Sequence, residues 1–314
     1  MIAMERKPVK VLVINNLLSG YGEGAVYDYI RSMVQDGDRI ELRATDGTTP
    51  LRELLEDAAD FDFVVASGGD GTVAGVAYEL AGSGIPIQLI PAGTANLLAM
   101  NLLLPNEPHA LAKLAEGGLS MDFDLGEIEV ADGSKFGFSI MAGAGYDAII
   151  MKEAAAAKRV LGELAYFKAA LTNPTPQFAH FTLEMDDQTV ETEGVGVLLI
   201  NFSRIQFDIA VVHENLPRDG MFDVVVMRTR DAWGLIPAFI ACVLDRDGSF
   251  PNRGDGIEVY RTSSVRIQSD PPLSIQYDGE VSTYTTPFTA RVIPEAARFM
   301  LTQEALDLFG AERP

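Results

Sequence analysis

The sequence predicts an α/β plus all-β architecture: a domain built on a parallel sheet, then an antiparallel β-sandwich. Three observations carry that expectation. Short apolar runs alternate with helical stretches and Gly-rich turns as far as about Asp124, the alternation of a parallel sheet with covering helices. Beyond Asp124 strand-like runs dominate, most of them bounded by turn signals such as Asp132-Gly133, Asp219-Gly220 and Asp278-Gly279, as in antiparallel sandwiches and barrels. The length of 314 residues suits about two domains. The expected boundaries are residues 1–124 for the first domain, with 295–314 as a tail packing back on it, and 125–294 for the second.

Val9–Ile14 is an apolar, β-branched run and reads as a buried strand. The Asn- and Gly-rich stretch Asn15–Gly24 reads as a loop, and Ala25–Val34 and Leu51–Ala59 read as helices. Phe61–Ala66 is a second strand, and Ser67-Gly68-Gly69-Asp70-Gly71-Thr72 follows it directly. Val73, Val76, Ala77 and Leu80 then fall on one helix face at i, i+3, i+4 and i+7. Gly82-Ser83-Gly84 ends that helix, Ile85–Ile90 is a third strand, and Pro91-Ala92-Gly93-Thr94 turns into a helix over Ala95–Leu103. In the second domain the strand-like runs are Phe136–Met141, Phe178–Met185, Val195–Asn201, Phe222–Met227, Ile257–Tyr260, Val265–Gln268, Leu273–Tyr277 and Thr285–Ile293. Helical stretches interrupt them near Lys152–Ala170 and Ala232–Leu244.

Composition excludes several classes of function. A formal net charge of −21 argues against a nucleic-acid partner, because duplex binding neutralises phosphates with Lys and Arg. The same charge sits poorly with an anionic membrane, so only a peripheral membrane contact stays open. No stretch reaches the roughly 20 apolar residues that span a bilayer. No apolar signal region follows the basic start Met1–Lys10, so cytoplasmic residence is expected. The single Cys242 makes no internal disulfide, and His109, His180 and His213 show no metal-ligand spacing. Nothing in the pattern sets an oligomeric state.

A Gly-rich turn between a strand and a helix is an anion site in waiting: the backbone approaches closely, N–H groups point outward and the helix dipole favours negative charge. This chain has two in succession, Gly68–Thr72 and Gly93–Asn96. Their strands are expected as neighbours, with both turns lining one crevice at the carboxyl edge of the sheet. The bland reading is that each glycine only tightens a turn. No G-x-x-x-x-G-K-[ST] occurs, which excludes a P-loop. Gly69–Ala74 fits a dinucleotide fingerprint, yet the next strand ends at Ile90-Pro91 without an acid to hold a ribose. Asp70 inside a phosphate loop repels a bare pyrophosphate and fits better with Mg²⁺ or water between them. In Leu273–Tyr277, apolar and polar residues alternate; if the strand persists past Gly279, Glu280 shares the polar face of Asp278. A carboxylate there suits a general base, and equally a solvated turn with two ordinary acids.

Gly68-Gly69-Asp70-Gly71-Thr72 followed by Pro91-Ala92-Gly93-Thr94-Ala95-Asn96 resembles the catalytic domain of the diacylglycerol and sphingosine kinase superfamily, which has an NAD-kinase-like fold. The resemblance is to its bacterial lipid kinases with a second, β-rich domain. Further blocks are similar: Asn16-Leu17-Leu18-Ser19-Gly20, Gly145-Tyr146-Asp147-Ala148, Asp219-Gly220-Met221-Phe222-Asp223 and Asp278-Gly279-Glu280. The resemblance implies an ATP-dependent lipid kinase, with a lipid alcohol such as diacylglycerol as acceptor and Mg²⁺ as cofactor. It implies that Gly68, Gly69, Asp70, Gly71 and Thr72 cradle the ATP phosphates, with Thr94, Asn96 and Thr45 nearby. It implies a structural Mg²⁺ at Asp219 and the backbone of Met221, and Glu280 as general base beside Asp70 as the second catalytic residue, with the two domains closing on the substrates. The chain departs from the family pattern at Leu17, Ala74-Gly75, Leu97, Met100 and Leu216, where polar, basic or proline residues are usual. An NAD-kinase-like enzyme and a non-catalytic nucleotide- or lipid-binding protein of kinase ancestry are the rival readings.

Overall fold

The computed structural model of the chain describes residues 7–19, 24–145, 177–202, 204–205, 209–210, 216–229 and 256–311. The expected helices near Lys152–Ala170 and Ala232–Leu244, the turn at Tyr146-Asp147-Ala148 and Cys242 lie outside them. The chain divides into two units, Met1–Phe123 with Glu295–Pro314, and Asp124–Pro294.

In the first unit, β1 (Lys10–Asn16), β2 (Arg39–Thr45), β3 (Phe63–Gly68) and β4 (Pro86–Pro91) form a parallel sheet in the order β2–β1–β3–β4. Val11, Leu12, Val13 and Ile14 are each fully buried. A continuous apolar run of this kind belongs to a strand covered on both faces, and burying each side chain stabilises by about 1.5–3 kcal/mol. The covering helices are α1 (Ala25–Met33), α2 (Leu51–Leu54), α3 (Asp70–Glu79), α4 (Leu97–Asn101) and α5 (Pro108–Gly117). Helix α1 buries Val26, Tyr29 and Met33, and α3 buries Val73, Ala74, Val76 and Ala77. Pro108 opens α5 and Gly118, at φ 63°, closes it, the ordinary asymmetry of helix ends.

Two helices differ from the sequence expectation. The segment 51–59 keeps only one α-helical turn, because Leu55 leaves helical geometry and Ala58–Asp60 tightens to a 3₁₀ turn. Helix α4 starts at Leu97 rather than Ala95, because Asn96 is left-handed at φ 51° and ψ 42°.

The second unit is antiparallel. Its strands begin with β5 (Ser120–Val130), whose first residues to Phe123 belong to the first unit, and go on with β6 (Lys135–Phe138), β7 (Met141–Gly145), β8 (Ala179–Met185), β9 (Thr189–Gly194) and β10 (Gly196–Ile200). They continue with the short pair β11 (Arg204–Ile205) and β12 (Ile209–Ala210), then β13 (Phe222–Met227), β14 (Ile257–Thr262), β15 (Ser264–Asp270), β16 (Ser274–Tyr277), β17 (Glu280–Thr285) and β18 (Phe288–Met300). One layer runs β14–β13–β10–β7–β16–β17; the other holds β9, β8, β15 and the first part of β18. Phe181, Leu183, Val265, Ile267 and Phe288 from one layer meet Val197, Leu199, Phe222, Val224 and Ile275 from the other in one core. The alternate residues of β10 and β13, Leu198, Ile200, Val225 and Met227, join Val195 in a second apolar cluster. The class of fold is therefore the expected one, parallel sheet with helices and then antiparallel sandwich.

The expected strand Phe136–Met141 is broken at Ser139-Ile140, because their amides turn to the carboxylate of Asp278. The expected strand Thr285–Ile293 runs on to Met300, where Arg298 and Phe299 pair in parallel with Pro86 and Ile87 of β4. Helix α6 (Gln303–Ala311) follows, and Phe309 sets its ring edge-on at 5.1 Å from that of Phe123.

Candidate active site

The parallel register brings the carboxyl ends of four strands level. Asn16 lies beside Thr45, Asn15 beside Ser67, and Gly68 beside Pro91. The chain leaves β3 and β4 at adjacent points of one edge, so both Gly-rich turns rise side by side. They touch through backbone. A Cβ placed on Gly93 lies 2.4 Å from the Cα of Gly69, and one on Gly69 lies 3.3 Å from the Cα of Gly93. The Ala92 amide donates to the Gly68 carbonyl at 2.9 Å, closing the join. Gly69 has ordinary extended geometry, φ −86° and ψ −178°, so close approach rather than strain requires glycine there. Gly68 is required by crowding too: a Cβ lies 2.6 Å from the Thr72 side chain.

Side chains hold the two turns in place. Asp70 accepts the Leu98 amide at 3.0 Å, so the first residue of α3 caps the start of α4. Asn96 accepts the Gly93 amide at 2.9 Å and donates back to the Gly93 carbonyl at 3.0 Å. Gly68, Gly69, Asp70, Pro91 and Asn96, with apolar Val73, Leu89 and Ala99 beneath them, line one water-sized hollow under the turns. Helix geometry leaves the first amides of α3, at Gly71 and Thr72, without an intrahelical acceptor, and the helix N-terminus carries partial positive charge. That arrangement suits a phosphate chain.

Thr94 is exposed in the second turn. Thr45 is buried at the end of β2, where its hydroxyl accepts the Gly47 amide at 3.1 Å and its carbonyl accepts the Leu17 amide at 2.9 Å. Asn16, which opens the family-like block Asn16-Leu17-Leu18-Ser19-Gly20 but was assigned no role there, donates its amide to the Thr72 hydroxyl at 2.7 Å. Gly75, where the family pattern is polar, faces α2: a Cβ there lies 2.6 Å from Leu51 Cδ1. Ala74 is buried. Gly75 is thus a packing position beneath Leu51, and Ala74 is a core position of α3.

In the second unit, Asp278 and Gly279 adopt φ 44° and 86°, and Tyr277 pairs with Glu280. This is a two-residue hairpin turn. The expectation that Glu280 shares the face of Asp278 is corrected, because the chain reverses at Gly279. Directly opposed residues point to the same side, so Glu280 stands with Tyr277. Glu280 is exposed. Asp278 is the anchor: its carboxylate accepts the amides of Ser139, Ile140 and Met141 at 2.6, 2.8 and 3.0 Å. Burial, then the charges of Glu280 and Asp278, push the Tyr277 phenol above its ordinary range. Phe136 stacks on Tyr277 at 5.5 Å.

The expected metal turn lies before β13. Asp219 Oδ1 accepts the Met221 amide at 2.9 Å, and Asp219 Oδ2 is held by the Arg261 guanidinium. Asp124, fully buried, accepts the Gly220 amide at 2.7 Å. Among the described residues no three His, Cys, Asp or Glu gather into a metal-ligating set. This donor set fits a guanidinium rather than a divalent ion, and no step of the chemistry below passes through a metal at this turn.

Parallel sheet with touching glycine turns, followed by an antiparallel sandwich, defines a two-unit α/β plus β-sandwich protein. Comparison with known proteins refines that class. Residues 10–128 match the diacylglycerol kinase catalytic domain, and residues 140–301 match the YegS C-terminal NAD kinase beta sandwich-like domain. The chain belongs to this family of bacterial lipid kinases. A diacylglycerol kinase of Mycobacterium tuberculosis is 33% identical over 168 residues, 52% of this chain and 54% of that one, so the chain spans about half of that relative's length. A Klebsiella pneumoniae protein described as "Probable lipid kinase YegS-like" is 26% identical over 312 residues, 95% of this chain and 97% of its own. The crystal structure of a diacylglycerol kinase from Bacillus anthracis str. Sterne has the same fold, with a TM-score of 0.73 at 21% identity over 96% of this chain and 99% of that one.

Proposed function

We propose that the chain transfers the terminal phosphate of ATP, taken as its magnesium complex, to a hydroxyl of a lipid alcohol such as diacylglycerol. The observation that carries this reading is the backbone contact of Gly69 with Gly93, which sets the two glycine turns side by side at one edge of the parallel sheet.

In this reading the amides of Gly68–Thr72, with Gly93, Thr94 and Asn96 beside them, hold the phosphate chain, and Thr45 sits on the same strand edge. Asp70 serves by position, keeping α4 and the second turn fixed against the first. Glu280 takes the proton of the acceptor hydroxyl. The hydroxyl oxygen forms the new bond to the terminal phosphorus as the bond to the bridging oxygen breaks, and ADP leaves. Phosphoryl transfer asks mainly for such positioning and charge neutralisation. No helix among the described residues is long and apolar enough to cross a membrane. The acceptor is met at a membrane surface, through a peripheral contact.

The test is radiolabelled ATP with magnesium and a total lipid extract, followed by separation of the lipid phase. Label enters a lipid product with the native chain, and Glu280→Ala lowers that rate by about 10²–10⁴-fold. Label passing to NAD⁺ with none in lipid overturns the acceptor. A fully active Glu280→Ala variant removes the base.

A further inference from the structure

The turn before β13 needs a positive charge, and the geometry shows where it comes from. We infer that the Arg261 guanidinium occupies the cation position at Asp219–Met221, so that this turn is held without a divalent ion. Asp223 and Arg261 face each other directly across the β13–β14 pair. From there Arg261 reaches both acids, with Nε 3.5 Å from Asp223 Oδ1 and the outer guanidinium nitrogen on Asp219 Oδ2. The two carboxylate side chains are only 6% and 13% exposed, whereas that of Arg261 is 48% exposed. Carboxylates withdrawn this far from water are costly without a counter-charge. The fork of an arginine meets that need and keeps its own far side in water.

Two carbonyls and the second oxygen of Asp219 already accept hydrogen bonds within the unit. The Leu216 carbonyl accepts the Arg218 amide at 2.8 Å, and the Pro217 carbonyl accepts the Asp124 amide at 3.0 Å. Asp219 Oδ1 is engaged by the Met221 amide. Mg²⁺ demands near-octahedral oxygen ligands at about 2.0–2.1 Å. An ion that close to Asp219 Oδ2 sits about 4 Å from a guanidinium nitrogen hydrogen-bonded to the same oxygen, and like charges at that range repel. Leu216 adds no side-chain donor to offset this. The inference concerns the resting chain and does not depend on which acceptor it phosphorylates.

Thermal unfolding of the nucleotide-free chain in EDTA and in millimolar Mg²⁺ tests it. A chain of net charge −21 gains some stability from any divalent salt, so the readout is the part of the magnesium shift that Asp219→Asn removes. The native chain shows none: its shift equals that of Asp219→Asn. Arg261→Ala gains an added shift of about 2–4 °C, because an ion then enters the vacated position, and Arg261→Ala with Asp219→Asn loses it. A magnesium shift in the native chain that Asp219→Asn abolishes overturns the inference. So does an Arg261→Ala variant that folds and gains no Asp219-dependent shift. Should Arg261→Ala fold in neither buffer, the comparison of the native chain with Asp219→Asn decides alone.

Discussion

The glycine turns of the first unit and the Asp278–Glu280 turn of the second keep their shape by opposite means. At Gly69 and Gly93 backbone rests on backbone, and the space left is smaller than one methyl group. At Asp278 a charged side chain grips three amides that lie 137 to 139 residues away in the chain. The first device fails when an atom is added, the second when a charge is taken away. Each suits the role proposed for it. Amides at fixed spacing serve a phosphate chain, and one exposed carboxylate on a rigid hairpin serves a proton.

Gly93→Ala is the sharpest way to break the contrast. The new Cβ lies 2.4 Å from the Gly69 Cα, so the turns must part, at a cost of about 1–3 kcal/mol in stability. Affinity for ATP, measured by calorimetry, is expected to fall by about tenfold or more, since 1.4 kcal/mol is a factor of ten. Unchanged affinity means that the contact of the turns does not grip the nucleotide. Asp278→Asn comes next, because Asn tolerates the left-handed backbone while replacing an acceptor oxygen with a donor that faces amides. Urea unfolding is expected to show a loss of about 1–3 kcal/mol. Turnover falls with the KM for ATP unchanged, since only the hairpin carrying Glu280 is disturbed. An Asp278→Asn chain of full stability and rate leaves the clamp without a role. The smallest effect is expected from Asn16→Ala, which removes the bond to Thr72. One neutral hydrogen bond contributes about 1 kcal/mol, so ATP affinity drops by roughly fivefold, with turnover little changed. A loss as large as that of Gly93→Ala places Asn16 on the nucleotide itself.

The same contrast explains what was legible in the sequence. The two glycine turns were legible because their requirement is local: glycines following apolar strands mark both the turn and the close approach. β1, β3 and β4 stood out for a similar reason, since strands buried on both faces read as unbroken apolar runs. Helix α4 was misplaced by two residues, as nothing local marks Asn96 as left-handed. The break at Ser139-Ile140 and the role of Asp278 are one long-range interaction, invisible to any window of neighbouring residues. Arg261 reaches Asp219 across 42 residues. The resemblance supplied a metal role for Asp219, and its contact with Arg261 was not legible, because the sequence shows the acid and hides its partner.

The tail has a consequence for synthesis. The Gly82 amide donates to the Ala296 carbonyl, the Leu301 amide to the Leu119 carbonyl, and Arg298 pairs with Asp122 at 2.8 Å. These late residues complete a unit whose other residues were translated first, with the whole sandwich in between. On the ribosome the sandwich has all its strands before the glycine-turn unit receives its last one. The part that emerges first is thus the last to be finished, and must stay soluble while it waits.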